Sequence, residues 1–241
     1  MEIENKFALV TGSAKRIGKE IVLSLAKDGC NVIVHYNRSE TEAEEVRKLA
    51  ESYGVKALKF KANLEKTEEV LRLIEEIKKE VGRIDILVNN ASIYYPTKLD
   101  EITDEDFNRF YSIHVKAPFY LSREFGELMK ENGEGRIINI VDYSAIKPYP
   151  DFIPYTASKG ALLTMTKAFA KELAPEVLVN AVLPGPIIPP EDLEGKDIPL
   201  KKTILKKWGG AVEIYKAVKY FIDSDFTTGA FLPVEGGRLI Y

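Results

Sequence analysis

Residues 6–18 read KFALVTGSAKRIG: an apolar run, then a loop holding Gly12 and Gly18, then a segment with Ile17, Ile21, Val22 and Leu25 at helical spacing. A strand that feeds a glycine-containing turn and then a helix leaves unpaired backbone N–H groups beyond its carboxyl end. Gly12 permits the tight turn and Gly18 permits close packing of the helix on the sheet, an arrangement suited to a pyrophosphate. Gly12, Lys15, Arg16, Ile17 and Gly18 are therefore candidate contacts to a dinucleotide.

Outward from this unit the same alternation continues. Strands are expected at 6–11, 31–36, 55–60, 85–89, 136–141, 178–183 and 230–234, separated by amphipathic segments such as the one carrying Val70, Leu73, Ile74, Ile77 and Val81. Ser39 with Glu42 reads as a capping box opening the second helix, and Thr103 with Asp106 as one opening a longer helix. Strand and helix alternating this regularly predict an α/β fold: a Rossmann-type, doubly wound parallel sheet of about seven strands with helices on both faces. Residues 1–241 suit a single domain, with a short substrate lid near 187–210. In such sheets ligands bind beyond the carboxyl ends of the strands, where strand order reverses.

Composition narrows the function classes. A formal net charge of −3 leaves no basic surplus for a phosphate backbone or an anionic lipid surface, so small molecules are the expected ligands and neither nucleic acid nor membrane is an expected partner. One cysteine, Cys30, and two histidines argue against a disulfide framework and against a dedicated metal site. The acidic start MEIENKFALV has no long apolar stretch, and a cytoplasmic protein is expected. Abundant Lys and Glu with no glutamine resemble the composition of heat-adapted proteins.

At the end of the second strand an NAD-binding chain carries an acid for the ribose hydroxyls. Here the residues are His35, Tyr36, Asn37, Arg38 and Ser39, with Lys15 and Arg16 available from the first loop. Cations and hydroxyls without a carboxylate in that turn favour a 2′-phosphate, and NADP(H) is the expected cofactor. The alternative is a solvated cationic surface.

Tyr155 and Lys159 are four residues apart on a segment, 155–171, that reads as helical, so they share one face. Lowering a phenol from about 10 to about 7 takes roughly 4 kcal/mol of differential stabilisation of the phenolate, which an adjacent ammonium can help to supply. Tyr155 would then exchange a proton with substrate while Lys159 holds the nicotinamide ribose.

TGSAKRIG, NNAS (89–92), YTASK (155–159), LPGPI (183–187) and the closing TTGAFLPVEGG stand in the order of the classical short-chain dehydrogenase/reductase family, which the sequence resembles over nearly its whole length. The resemblance implies Tyr155 as acid/base with Lys159 as its partner. It also implies Asn90 and Ala91, with Ser92, along the cofactor, Pro184, Gly185 and Ile187 near the nicotinamide, and assembly as a homotetramer or dimer. Four positions depart from the family pattern. Asp142 replaces the serine thirteen residues before the tyrosine, Arg16 the middle glycine of the first loop, His114 the asparagine of the long helix, and Asn63 the acid that contacts adenine.

Asp142 and Arg16, with HYNRS and NNASIYYPT, resemble the pteridine reductase branch. That resemblance implies a proton passing from the aspartate toward a ring nitrogen, an arginine touching phosphate and substrate, and Tyr94 stacking on a pterin, so the substrate set is Ser92, Tyr94, Asp142 and Tyr155. Two readings of Asp142 stay open: a carboxyl of raised pKa that donates a proton to a C=N bond, or a polar group that only positions substrate beside Ser144. His114 either relays protons or fills a kink in its helix. The expected activity is NADPH-dependent reduction of a small C=N or C=O substrate. The alternatives are a general carbonyl reductase, such as one acting on 3-oxoacyl chains, and a cofactor-binding protein without turnover.

Overall fold

A computed structural model describes residues 1–189 and 199–241. Seven strands, β1 (Phe7–Val10), β2 (Asn31–Tyr36), β3 (Ala57–Lys61), β4 (Ile86–Asn89), β5 (Gly135–Ile140), β6 (Val177–Pro184) and β7 (Phe231–Val234), form one sheet in the order β3-β2-β1-β4-β5-β6-β7. Every pairing is parallel. The strands lie where the apolar runs predict them, and the reason is burial on both faces. Ala8 and Val10 pack in one core and Leu9 in the other, and Val32 and Val34 are likewise divided from Ile33. No position in such a strand is free to be polar, so the run is continuous rather than alternating.

The first core lies under α1 (Arg16–Lys27), α2 (Glu40–Glu51) and α7 (Ala211–Asp223), which contribute Ile21, Leu25, Val46, Val218 and Phe221. The second lies under α3 (Thr67–Val81), α5 (Ala117–Glu131) and α6 (Ile153–Glu172), through Leu73, Ile77, Phe125 and Phe169. Burying a side chain of this size contributes about 1.5–3 kcal/mol, so the two apolar layers dominate cohesion. α6 begins two residues earlier than the sequence suggests, because Pro154 sits in its first turn, where a missing N–H costs nothing.

One expected cap forms and one does not. Thr103 and Asp106 make the reciprocal capping box that opens α4 (Asp104–Tyr111). Ser39 is the N-cap of α2 but makes no side-chain cap bond; Glu42 instead reaches Lys15, 2.7 Å away, so a long-range ion pair displaces the local motif. Between α4 and α5 the helix widens into a π turn, Ser112–Lys116, with His114 at its centre. No helix among the described residues is long and apolar enough to cross a membrane.

Strand order reverses between β1 and β4, and the loops leaving these two strands are clasped together. Thr11 Oγ1 accepts from the N–H groups of Asn90 and Ala91 at 2.9 and 3.0 Å, and Asn90 Nδ2 donates to the carbonyls of Thr11 and Gly12. At Gly12, φ is +62°, and a Cβ there would stand 2.9 Å from the Ala91 Cα; one at Gly18 would stand 2.4 Å from the Gly12 carbonyl oxygen. These glycines are therefore required by the approach of two strand ends.

His35 serves the same clasp and is not a cation. Its Nδ1 accepts from the Gly12 N–H at 2.9 Å, and its Nε2, which must then carry the proton, donates to the Ala62 carbonyl at 3.1 Å. Burial pulls its pKa down to about 4. His35, expected among the cofactor contacts, lines the cavity beyond the strand ends as a neutral strut. His114 is also buried, and desolvation together with the Lys159 ammonium holds its pKa well below the ordinary value. A folded-state pKa depressed below the unfolded value leaves stability intact above pH ~6.5, and loses it as pH falls and the unfolded chain takes up protons first. Urea unfolding followed between pH 7 and pH 4.5 should show a loss approaching about 3 kcal/mol from His35 alone, given its value near 4. His35→Gln should flatten that loss, and an unchanged profile would disprove the neutral-strut assignment.

Candidate active site

Beyond the carboxyl ends of the strands lies a cavity of about 870 Å³. It is lined from the first loop by Gly12, Lys15, Arg16, Ile17 and Gly18, and from the β2 and β3 ends by His35, Asn37, Asn63 and Leu64. Asn90 to Tyr94 follow from the β4 end, Asp142 and Tyr143 from the β5 end, and Pro184 to Ile188 from the β6 end. Tyr155 and Lys159 line it from α6. Most residues expected along a dinucleotide therefore share one cleft. Tyr36, Arg38 and Ser39 do not line it: Tyr36 is buried with Lys59 over its ring at 5.6 Å, and Arg38 is exposed. The adenosine end is also less uniformly cationic than expected, since Glu42 of α2 stands on Lys15.

The first loop departs from ordinary backbone at Arg16, whose φ is +54°. Its guanidinium donates to the carbonyls of Ile188 and Pro189 at 3.1 and 3.2 Å, tying the loop to the segment after β6. Asn63 accepts from Asn37 Nδ2 and from the Glu65 N–H, which fixes its amide at the cavity edge. Gly185 lines the cavity, yet its glycine is explained by the neighbouring strand: a Cβ would stand 2.7 Å from the Glu235 Cα.

At the centre of the cavity the Tyr155 hydroxyl donates to Asp142 Oδ2 at 3.0 Å, and the Ser144 N–H donates to Asp142 Oδ1 at 2.8 Å. Lys159 Nζ donates to the Ile140 carbonyl at 3.1 Å and lies 5.8 Å from the Tyr155 ring centre. All three groups are out of bulk water; Tyr155 and Lys159 are 4% and 2% exposed, and Asp142 keeps part of its surface open to the cavity. Desolvation governs their protonation. It raises the Asp142 carboxyl above its ordinary value, against the pull of the Ser144 N–H and of Lys159. It raises the Tyr155 phenol well above 10, with the Asp142 charge adding to the effect, and lowers Lys159 to about 8. The sequence suggests a depressed phenol pKa; in the protein alone the direction is the reverse, because the hydroxyl is buried and lies against the Asp142 carboxyl. The arrangement is a buried carboxyl–phenol pair in which burial favours the protonated form of each group, the form that can give a proton to a ligand.

His114 stands behind this pair. Its Nε2 accepts from the Ile93 N–H at 3.3 Å and meets Ser92 Oγ at 2.9 Å, so Nδ1 carries the proton and donates to Ser158 Oγ at 2.8 Å. Ser158 Oγ in turn donates to the Tyr155 carbonyl. No hydrogen bond joins the ring to Lys159 or to the Tyr155 hydroxyl among the described residues. The imidazole props α6 against the β4 loop and positions the tyrosine, which accounts for its place in the π turn.

Over the pair stands an aromatic wall. Tyr94 stacks on Phe152 with ring centres 4.7 Å apart and meets the edge of Tyr155 at 5.0 Å, while Tyr149 Oη reaches Tyr94 Oη at 3.4 Å. Tyr95 turns away from this wall, stacking on Phe110 and bonding Asp106. Tyr143, Tyr149, Phe152 and Arg238 also line the cavity, and none of them stands out in the sequence as a site residue; Lys202 and Trp208, from the expected lid, line it too. The expected lid near 187–210 is described only in part: Ile187, Pro199, Lys202 and Trp208 face the cavity, and residues 190–198 lie outside the described residues.

Residues 6–192 match the family model described as short chain dehydrogenase. The 3-oxoacyl-[acyl-carrier-protein] reductase of Staphylococcus epidermidis is 34% identical over 243 residues, covering 97% of this chain and 98% of that protein. Among solved structures, FolM alternative dihydrofolate reductase 1 from Brucella canis, complexed with NADP, superposes with a TM-score of 0.91 at 34% identity, covering 100% of this chain and 97% of the other. Acetoin dehydrogenase from Enterobacter cloacae superposes with a TM-score of 0.91 at 32% identity, over 98% and 96%. The strand order, the clasped glycine loop and the buried Tyr155–Lys159 pair agree with these matches, and the chain belongs to the short-chain dehydrogenase family.

Proposed function

We propose that the chain is an NADPH-dependent reductase of a small C=N or C=O substrate with a pterin-like ring. The observation that carries this reading is the 3.0 Å contact between Tyr155 and Asp142 inside the cavity, at a position where a serine would give the ordinary ketone-reducing site. The FolM reductases, solved with NADP, are similar over the whole chain, which supports both the cofactor and the ring-nitrogen chemistry. The cavity is consistent with a dinucleotide in its size and lining: about 870 Å³ running past the first loop, Asn37, Asn63 and Leu64 at the β2 and β3 ends and Asn90 to Ser92 at the β4 end to Tyr155 and Lys159.

When bound, the cofactor supplies hydride to the substrate carbon. The protein supplies the matching proton. Asp142, its pKa raised by burial, is the proton donor to the ring nitrogen in its neutral form, so that with the hydride C=N becomes CH–NH. Tyr155 keeps Asp142 oriented, and serves as donor when the acceptor is a carbonyl oxygen. Lys159 and the Ile140 carbonyl fix the ammonium beside both groups, and the Tyr94–Phe152 stack offers a flat apolar wall to a planar ring. The similarity to the 3-oxoacyl and acetoin enzymes favours a second reading, a general carbonyl reductase in which Tyr155 alone donates and Asp142 positions substrate.

Exposed Phe107, Tyr111 and Phe119 on α4 and α5, 39–47% accessible, present an apolar face that supports assembly as a tetramer or dimer. Cys30 is a single buried thiol, in accord with a cytoplasmic enzyme.

Asp142→Ser should cut kcat/KM for dihydrobiopterin by about 100-fold and spare simple ketones far more, whereas Tyr155→Phe should impair both. In the wild type, reduction of the pterin should fall as pH rises through the elevated Asp142 pKa, since the neutral carboxyl is the donor; Asp142→Ser should lose that limb. Equal pterin turnover by Asp142→Ser and wild type would remove the carboxyl from the mechanism and leave the carbonyl reading. NADPH should be preferred over NADH by at least about tenfold. Lys15→Met should erode that preference and Glu42→Gln should enhance it, as steady-state KM values would show. Light scattering should return a mass of two or four chains, and a monomer would refute assembly through α4 and α5.

A further inference from the structure

Most arginines here hold a carboxylate: Arg47 pairs with Glu44, Arg83 with Asp85, Arg109 with Glu65 and Arg136 with Asp225. Arg238 does not. Among the described residues no acidic side chain lies within ion-pair distance of it, although it is half-buried and lines the cavity. Its guanidinium stands 4.9 Å over the Tyr143 ring, next in the chain to Asp142, and spends one donor, Nη1, on the Pro199 carbonyl at 2.8 Å.

The position is built. After β7 the chain reverses through Gly236 and Gly237, with φ of +69° and +81°, and a Cβ at Gly237 would stand 2.9 Å from the Ile204 side chain. The Gly236 carbonyl accepts from the N–H groups of Ile204 and Leu205, and Glu235 Oε2 accepts from the Leu239 N–H. This turn holds Arg238 against the short helical turn Leu200–Lys202, whose Lys202 also lines the cavity and has no acidic partner among the described residues. Among the described residues, two cations without an acidic partner therefore share one wall. The cavity's carboxylates belong to other segments: Asp142 is engaged by Tyr155 and Ser144, and Asp151 sits beside Phe152 on the aromatic side.

We propose that Arg238, assisted by Lys202, is a specificity-determining residue that binds an anionic group, carboxylate or phosphate, on the substrate's end remote from the reduced bond. The inference rests on the reductase reading above and adds the charge class of the substrate. A planar guanidinium fixed over an aromatic ring keeps its remaining N–H donors directed and pays little to order them, which suits a two-point contact with a carboxylate or phosphate. A neutral substrate would leave the half-buried charge without a partner.

The test compares paired substrates of which one member carries an anionic group and the other does not, read as the change in their ratio between wild type and variant. These are dihydrofolate against dihydrobiopterin, acetoacetate against its methyl ester, and dihydroxyacetone phosphate against dihydroxyacetone; the second and third pairs separate carboxylate from phosphate. For whichever pair is reduced, the ratio of kcat/KM for the charged member to that for the neutral one should drop about tenfold in Arg238→Met, through KM, and recover in part in Arg238→Lys. Lys202→Met, an exposed change, should lower the ratio less. Misfolding or a lost Pro199 contact would depress both members alike and leave the ratio intact, so a ratio equal in wild type and Arg238→Met overturns the proposal. If nothing on the panel is reduced, the reductase reading fails, and binding still decides this one. Trp208, the only tryptophan, lines the cavity, and its fluorescence can be titrated with folate and with biopterin in the protein alone. Wild type should bind folate more tightly and Arg238→Met should lose the difference; equal affinities in both proteins refute the anion site.

Discussion

The site exists because two strand ends at the reversal of the sheet are clasped to each other. Thr11 and Asn90 exchange hydrogen bonds across the gap between β1 and β4, and the neutral ring of His35 ties Gly12 down from the third side. Each bond is short-range and mostly buried, so each costs heavily if left unmade. The clasp sets where the first loop lies, and the loop sets where a dinucleotide can lie. The opposite wall, carrying Asp142, Tyr155 and Lys159, is fixed separately by β5 and α6, with His114 and Ser158 as the spacer between α6 and the β4 loop. Two independently supported walls converge on one cleft.

Electrostatically the cleft is poised rather than charged. A phenol, a carboxyl and an ammonium stand close together out of water, each displaced toward its neutral form by burial. Where a serine would leave the phenol free to ionise beside the lysine, the carboxyl opposes the phenolate and keeps protons in the pair. That is a disadvantage for alcohol oxidation, which needs a base, and an advantage for reduction, which needs an acid.

Much of this was legible in the chain. Continuous apolar runs located the inner strands β1, β2, β4, β5 and β6 because burial on both faces leaves little alternation to misread, the half-buried edge strands β3 and β7 were found from shorter apolar stretches, and the four-residue spacing of Tyr155 and Lys159 placed them together on α6. What the sequence hid was tertiary. Ser39 and Glu42 have the spacing of a capping box, but the strongest partner for Glu42 is a lysine in another loop. His35 sits beside Arg38 in the chain and looks like part of a cationic cluster; only the fold reveals that both ring nitrogens are already bonded. The direction of the Tyr155 shift was missed for the same reason, since spacing along the helix reveals neither the burial of the phenol nor its contact with Asp142. Tyr149 and Phe152 come from one loop and Arg238 from another, both without periodicity, and the paired glycines before Arg238 were the one local sign that the chain reverses there.

Arg16 shows what it means for a side-chain-bearing residue to occupy a conformation that glycine tolerates freely. The left-handed geometry costs roughly 1–2 kcal/mol, and the guanidinium offsets it by bonding to the carbonyls of Ile188 and Pro189. The nucleotide loop and the segment after β6 thus behave as a single hinge-and-latch, in which the backbone strain of one is held by the peptide oxygens of the other. These bonds leave the guanidinium's other N–H donors uncommitted among the described residues, so the same latch that steadies the strained loop also fixes the direction in which Arg16 offers them.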